Sequence, residues 1–231
     1  MEDSATLAKS ALELYRRLGE GNISTGYEEV DALIGGIEGG MSYLFYGEGK
    51  RVNELVHSLL VSAVTPKGNR AVYFNNTDYY TAKTLLSPPL LGELAKRRGL
   101  EPLELLERIY VVAAYNAGRQ ELAAQEARGL LKGEPRIRLV LVHNASCFLG
   151  RERGAKEALA RALGLLKEAC ASRVSLVATA GGKRAKGGLL EPLGGAFFRA
   201  RLWRPGLPHE GEGAAAQASL APRAPLRALG E

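Results

Sequence analysis

Short apolar runs alternate along this chain with longer segments that have the periodicity of helices. Ile137–Val142 is typical of these runs, because its unbroken β-branched and leucine-rich sequence suits a strand buried on both faces. This alternation predicts an α/β fold, a mostly parallel sheet with helices on both faces. The predicted strands are Met41–Tyr46, Arg70–Asn75, Ile109–Ala113, Ile137–Val142, Val174–Thr179 and Phe197–Trp203.

The segments between these runs are predicted to be helical. One of them has an apolar stripe at helical spacing, formed by Leu159, Leu163, Leu166 and Cys170. Pro88-Pro89 is predicted to break another helical stretch, and Pro102 to begin the next one. The remaining predicted helices are Ser4–Leu18, Asn53–Val64, Leu90–Arg98, Leu103–Glu107 and Gln120–Leu131.

Composition divides the chain into three parts. Residues 1–22 are predicted to form an amphipathic helix and a glycine-punctuated linker, and residues 23–204 a single core domain. Residues 205–231 are rich in Ala, Gly and Pro, which favours a weakly structured extension or one added strand near Gln217–Ala221.

Ligands of open parallel sheets bind beyond the carboxyl ends of the strands, so a site is expected in the loops after Tyr46, Asn75, Val142 and Thr179.

The net charge of the chain is +6 and its pI is about 9.4, which favours an anionic partner, nucleic acid first. Nothing at the N-terminus resembles a signal peptide, and no apolar run reaches the roughly 18–20 residues that span a bilayer. We therefore expect a soluble, cytoplasmic protein with no membrane partner. Abundant Leu, Ala, Gly, Arg and Glu suit a thermophilic source. Cys147 and Cys170 have no metal-ligand spacing and are expected to be reduced and structural.

Two sequence blocks resemble recombinases of the RadA/RecA family. The first, Ile23–Gly40, contains Ile-Ser-Thr-Gly and Leu-Ile-Gly-Gly and is similar to the stretch before the first core strand of that family. The other block resembles one in archaeal RadA proteins and consists of Arg98-Gly99-Leu100-Glu101-Pro102, Ile109-Tyr110-Val111 and Ala114-Tyr115-Asn116. KaiC-like relatives share the Ile23–Gly40 block but generally not the other. The chain is identified as an archaeal RadA paralogue, which implies a RecA-like core from about Ile23 to Trp203.

The resemblance implies an ATP site at the carboxyl edge of the sheet. A phosphate-binding loop needs a glycine, four free positions and then Gly-Lys-Ser/Thr at the start of a helix. Counted from Gly47, the last three of these positions hold Val52-Asn53-Glu54. Counted from Gly49-Lys50, the loop is too short and Arg51 replaces the hydroxyl. The motif is degenerate in both registers, and a plain surface turn is the competing interpretation of the nucleotide-binding candidates Gly47, Gly49, Lys50 and Arg51.

Three other positions that the family uses for hydrolysis also differ. The strand that ends in a metal-supporting aspartate is followed here by His143 and Asn144, and imidazole is a poor partner for Mg²⁺. The catalytic glutamate is matched by Thr77, or by Asp78 under a one-residue shift. Ala180 stands where the family has a residue that senses the terminal phosphate.

From these differences we expect a pseudo-ATPase with no catalytic residue, no metal and no required cofactor. Lys50 and Arg51 would still allow weak ATP binding without hydrolysis. His57, on the helix after the first strand, is expected to pack or cap. Together with His143 and His209 it makes no metal site, because the three histidines are scattered along the chain.

In recombinases of this family, two loops at the same edge of the sheet hold single-stranded DNA. The first loop here is 148–154, with Arg151 and Arg153 as DNA-binding candidates and Phe148 as its aromatic residue. The other loop is 181–188, with the candidates Lys183, Arg184 and Lys186. Cations among glycines suit phosphate contacts without base readout, so a modest, salt-sensitive affinity is expected. A solvated charged loop is the competing interpretation.

Full-length RadA proteins begin with a helix-hairpin-helix domain, and an aromatic-x-x-Ala hook in the following linker joins neighbouring subunits. Residues 1–22 lack room for that domain and carry no such hook, so we expect no filament growth by this chain alone. The leading hypothesis is a non-catalytic accessory protein of homologous recombination and DNA repair. It would bind single-stranded DNA weakly, dock on RadA recombinase or another paralogue, or do both. The alternatives are a divergent DNA-dependent ATPase that uses Lys50 and Asp78, and a protein-interaction module without DNA binding.

Overall fold

The structure is a computed structural model that describes residues 21–77, 86–170, 173–181 and 198–202. The helices are α1 (Glu28–Ile34), α2 (Gly49–Val64), α3 (Pro88–Arg97), α4 (Pro102–Leu106), α5 (Ala117–Gly133) and α6 (Ala155–Ala169). The strands are β1 (Ser42–Gly47), β2 (Arg70–Asn76), β3 (Ile109–Ala114), β4 (Ile137–His143), β5 (Ser175–Gly181) and β6 (Phe198–Leu202). Predictions that lie outside the described residues concern Ser4–Leu18, residues 205–231, Asp78, Lys183, Arg184 and Lys186.

The strands form one parallel sheet in the order β3-β2-β4-β5-β1-β6. The prediction of an α/β fold with a mostly parallel sheet is therefore confirmed. Each predicted strand is present, with ends that differ by no more than two residues. The agreement has a physical reason, since the interior strands are apolar along their length and are buried on both faces.

The chain reverses its direction across the sheet at the neighbouring strands β2 and β4, because the connection that leaves β2 runs toward one side of the sheet and the connection that leaves β4 runs toward the other. From β2 it passes through α3 and α4 to the end strand β3, returns through α5 to β4, and continues through α6 to β5 on the other side. In open α/β sheets, the crevice at such a reversal is where ligands bind, beyond the carboxyl ends of the strands. A ligand-binding crevice is therefore expected between the ends of β2 and β4, at Asn76 and His143.

Helices cover both faces of the sheet. On one face, α2, α3 and α4 bury a cluster that includes Leu55, Leu59, Leu91 and Leu105. On the other face, α5 and α6 pack against the sheet, and the alanines of α5 allow a close approach. No helix in the described ranges is long and apolar enough to cross a membrane.

Both cysteines lie in the cluster that α5 and α6 cover. Cys147 and Cys170 are buried thiols. Burial raises the pKa of the Cys170 thiol to about 12, so it stays protonated and behaves as a small apolar side chain. The structural role predicted for both residues is confirmed.

The prolines of α3 begin the helix instead of breaking it. Pro88 and Pro89 occupy the first turn, where the missing N–H groups would have had no partner within the helix. Ser87 caps this end, because its hydroxyl oxygen accepts a hydrogen bond from the Leu90 N–H at 3.4 Å. The prediction that Pro88-Pro89 breaks the helix was therefore wrong, and α3 starts two residues before the predicted Leu90.

The first family-like block has a structural explanation. The Asp31 carboxylate accepts hydrogen bonds from the Thr25 N–H at 2.8 Å, the Thr25 hydroxyl at 2.7 Å and the Ser24 hydroxyl at 2.6 Å. Gly26 has a φ of 80°, and a Cβ atom there would lie 1.9 Å from the Ser58 hydroxyl oxygen on α2. Only glycine fits both demands. Ser24 and Thr25 therefore fasten the segment before α1 to Asp31 of α1, and Gly26 lets that segment pass close to α2.

Candidate functional site at the carboxyl edge of the sheet

The turn between β1 and α2 has a single residue, Glu48, outside both elements. β1 ends at Gly47 and α2 begins at Gly49, a full turn before the predicted start at Asn53. The Val52 N–H already donates to the Glu48 carbonyl at 3.0 Å, as in any first helical turn. A phosphate cradle needs several consecutive N–H groups from a wider loop. A turn of one residue does not supply them.

The charged side chains at this turn are of both signs. Lys50 is exposed, whereas Arg51 Nη1 lies 3.5 Å from Glu54 Oε2. Glu54 also faces Tyr27, whose pKa is raised by burial and then by this carboxylate. A phosphate group placed here would meet the Glu54 carboxylate as well as the two cations. The four nucleotide-binding candidates are thus brought together, but at a mixed-charge helix terminus.

Two neutral groups meet where β2 and β4 end. Asn76 is fully buried, and its side-chain amide donates to the backbone carbonyl of His143 at 2.9 Å. On its other side, the side-chain amide oxygen of Asn76 accepts a hydrogen bond from the side-chain amide of Gln120 on α5 at 2.9 Å. These two bonds tie β2, β4 and α5 together across the point of chain reversal. The crevice at this point is therefore bridged by protein side chains.

His143 is held as a neutral imidazole. Its Nδ1 lies 2.8 Å from the Tyr73 hydroxyl, which in turn lies 3.4 Å from the side-chain amide oxygen of Asn75. The rings of Tyr73 and His143 meet edge to face. Burial lowers the pKa of His143 to about 3, with a smaller contribution from His57. An imidazole with that pKa is uncharged near neutral pH and is a poor general acid or base there.

Thr179, near the end of β5, is hydrogen-bonded to the residues that follow His143. The Thr179 hydroxyl oxygen accepts a hydrogen bond from the Asn144 N–H at 3.0 Å, and its carbonyl accepts one from the Ala145 N–H at 2.7 Å. Asn144 has a φ of 53°, a conformation that asparagine tolerates better than most residues. Thr179 therefore fixes the sharp turn after β4. We call the whole set the edge network, and it consists of Tyr73, Asn75, Asn76, Gln120, His143, Asn144 and Thr179.

The edge network contains hydroxyl, amide and imidazole groups, and none of its members is a carboxylate. In the described ranges, no group of three or more His, Cys, Asp or Glu side chains is placed to hold a metal ion. A metal-bound triphosphate needs oxygen ligands for Mg²⁺ and a cradle of N–H groups. The residues described at this edge do not fit such a ligand.

Sequence reasoning did not find two members of the edge network. Tyr73 lies inside an apolar strand and Gln120 lies on α5, so neither belongs to a loop after a strand. The available signal was polarity, since Gln120 falls in the otherwise alanine-lined buried face of its helix. Which groups they meet depends on the packing of the sheet against α5.

His57 has the packing and capping role that was predicted for it. It is fully buried on α2, with Nδ1 lying 2.7 Å from the Asn53 carbonyl. Its Nε2 accepts a hydrogen bond from the Ser87 N–H at 2.8 Å. The imidazole therefore joins α2 to the capping residue of α3. Burial lowers the pKa of His57, which favours the neutral form that both contacts require.

The first predicted DNA loop, residues 148–154, begins in the hydrophobic core and continues on the surface. Phe148 and Leu149 are buried, so Phe148 cannot serve as the exposed aromatic residue that was expected. Arg151 and Arg153 are exposed. Between them, Glu152 Oε2 accepts a hydrogen bond from the Ala117 N–H of α5 at 2.8 Å, which fixes the loop beside that helix. The candidates of the other loop, Lys183, Arg184 and Lys186, lie outside the described residues.

The molecule is thus an α/β protein of the RecA type, with a parallel sheet, helices on both faces and a crevice at the carboxyl edge. The family model described as Rad51 matches residues 16–170, more than half of the chain. The chain belongs to the Rad51 family. Membership indicates a role in recombination and repair, the processes in which proteins of this family bind DNA and other recombinases.

Proposed function

We propose that this protein is a non-catalytic accessory factor of homologous recombination that binds single-stranded DNA weakly and docks on a RadA-type recombinase. The observation that carries the proposal is the edge network. It occupies the crevice between β2 and β4 with neutral, mutually bonded side chains. The one-residue turn before α2 supports the same interpretation.

Phosphoryl transfer depends on positioning and on neutralising charge. A protein without a phosphate cradle and a metal-holding carboxylate has little with which to stabilise that transition state. The DNA-binding part of the proposal rests on Arg151 and Arg153, which are exposed at the carboxyl edge. It also rests on the net charge of +6 and on membership of the Rad51 family.

A titration tests the DNA-binding part. Labelled single-stranded DNA should bind the purified protein with modest affinity that weakens as salt is raised. The double variant Arg151→Gln/Arg153→Gln should reduce the slope of log affinity against log salt by about 1–2. Lys67→Gln/Arg138→Gln is a matched control, because it removes the same charge from exposed positions at the amino edge of the sheet. It should leave the slope within error of the wild type.

The same preparation tests the non-catalytic part. A fluorescent ATP analogue and a phosphate-release assay with Mg²⁺ and DNA should show at most weak binding and no turnover. Robust magnesium-dependent turnover would overturn the proposal in favour of a divergent ATPase. In that case Lys50→Ala and Asp78→Asn should each abolish the rate.

The docking surface is proposed to be the open edge of β3. This strand lies at the end of the sheet and, among the described strands, pairs only with β2. Val111, in its middle, is 60% exposed. An exposed edge with an apolar side chain in solvent can accept an added strand from another protein. The proposed occupant is the extended linker of a RadA-type recombinase with its aromatic-x-x-Ala hook.

Val111→Lys should weaken binding of purified RadA recombinase about 10-fold or more, because a charge on an edge strand disfavours an added strand. Biolayer interferometry with immobilised RadA measures the change. Leu33→Lys is the matched control, since Leu33 is a 47% exposed apolar residue on α1, outside this edge. Equal binding by both variants and the wild type would exclude β3 as the docking edge.

A further inference from the structure

Tyr115 is an aromatic residue at the carboxyl edge that lies outside the edge network. The residue is 44% exposed, and it is the aromatic member of the large exposed hydrophobic residues in the described ranges. Exposing a tyrosine ring to this extent leaves apolar surface in water. The residue directly follows β3, at the edge of the sheet where the proposed DNA contacts lie.

The backbone on both sides of Tyr115 is fixed. On one side, the Ala114 carbonyl accepts a hydrogen bond from the Thr77 N–H at 3.1 Å, next to the last register pair of β3 with β2. On the other side, the Asn116 side chain accepts one from the Arg119 N–H at 2.9 Å and so caps α5. The ring is therefore carried by a rigid strand-to-helix junction, which reduces the entropy lost when a ligand binds.

Cations lie beside this junction. The hydrogen bond that Glu152 accepts from the Ala117 N–H, 2.8 Å long, holds the loop 148–154 against the start of α5. Tyr115 is two residues from Ala117, a span of at most about 7 Å along an extended chain. Arg151 and Arg153 flank Glu152 and are exposed. The exposed residues Tyr115, Arg151 and Arg153 therefore share one corner of the carboxyl edge.

We propose that Tyr115 is a stacking platform for a base of single-stranded DNA whose phosphates contact Arg151 and Arg153. An aromatic face accepts any base, and cations follow the backbone, which together give binding without sequence preference. Phe148 cannot take this role because it is buried in the core. The inference rests on the proposed DNA binding and adds the residue that contacts the base.

Two strands of equal length and charge test this role, a labelled oligothymidylate and the same backbone with abasic sites. Tyr115→Leu should lower affinity for oligothymidylate on the order of 10-fold and leave affinity for the abasic strand unchanged. Tyr115→Phe should retain the affinity of the wild type for both strands, because it keeps the ring. Unfolding midpoints of both variants should match that of the wild type, which separates lost stacking from lost structure.

Each contrary outcome has a distinct meaning. If the wild type binds oligothymidylate and Tyr115→Leu binds it equally well, the stacking role is overturned and the proposed DNA binding stands. If Tyr115→Leu loses affinity equally for oligothymidylate and for the abasic strand, stacking is also overturned, because the contribution of the ring would then not depend on a base. If the wild type binds neither strand at low salt, the DNA-binding part of the proposed function fails and the stacking role fails with it.

Discussion

Replacing His143 with aspartate should destabilise the protein by about 3 kcal/mol and should restore no ATP hydrolysis. The substitution puts back the residue type that the family resemblance implies at the end of β4. His143 is 5% exposed, and the side chain that it contacts most closely is the neutral hydroxyl of Tyr73. A carboxylate at this depth loses its hydration without gaining a charged partner from the edge network.

Hydrolysis should not return, because the aspartate repairs only one of several defects. The turn between β1 and α2 would still have a single residue, so the triphosphate would still lack its cradle of N–H groups. Urea unfolding followed by circular dichroism measures the first effect, and phosphate release with Mg²⁺, ATP and single-stranded DNA measures the other.

His143→Asn is the matched control for this substitution. Asparagine is neutral and of similar length to aspartate, so it tests the loss of the imidazole without the burial of a charge. We expect it to cost about 1 kcal/mol, the order of one hydrogen bond. If His143→Asp were as stable as His143→Asn, the site would tolerate a buried carboxylate, and the claim that the edge network excludes one would be overturned.

The positions of the strands were predictable because they follow from composition alone. A run such as Ile137–Val142 has no polar face, so it fits only where both faces of a strand are covered. The starts of α2 and α3 were predicted less well. A first helical turn is determined by caps and by glycine or proline, and apolar periodicity carries no information about it.

The location of the candidate site at the carboxyl edge was predicted correctly, but the contacts among its side chains were predicted only in part. The end of β4 was found because the parallel sheet has a defined ligand-binding edge. The side-chain partners were not found, because Tyr73 is far in sequence from His143, and Gln120 is far from Asn76. Each pair meets only through the packing of the folded chain. Phe148 was misplaced for a related reason, since a loop aromatic residue has the same sequence signature whether it faces solvent or core.

Stability should fall when the pH is lowered from 6.5 to 5, before most carboxylates titrate. Burial lowers the pKa of His143 to about 3 in the folded protein, whereas an unfolded chain has a histidine pKa of about 6.5. Between these values the unfolded state binds a proton that the folded state does not, so acid favours unfolding. The expected loss at pH 5 is about 2 kcal/mol for His143, at about 1.4 kcal/mol for each pH unit.

His57 should act in the same direction. Burial lowers its pKa, and protonation of Nε2 would place an N–H group against the Ser87 N–H that now donates to it. A carboxylate with a lowered pKa affects stability in a different, more acidic pH range. Glu134, hydrogen-bonded to Arg136, has a pKa lowered to about 2, so the stability that it provides is lost only in stronger acid. Among the described residues, the window from pH 6.5 to 5 therefore reports mainly on the two buried histidines.

Urea unfolding at pH 7.5, 6.5, 5.5 and 5.0 measures this dependence, with circular dichroism as the signal. His143→Asn should flatten the curve, because it removes one of the two buried imidazoles in the described part of the chain that take up a proton on unfolding. The remaining slope belongs to His57, and the double variant His57→Gln/His143→Asn should show almost none over the same window. A wild-type protein whose free energy of unfolding is constant from pH 7.5 to 5.0 would mean that the imidazoles gain protons without unfolding. The edge network would then be open to water, contrary to the burial of Asn76 and His143.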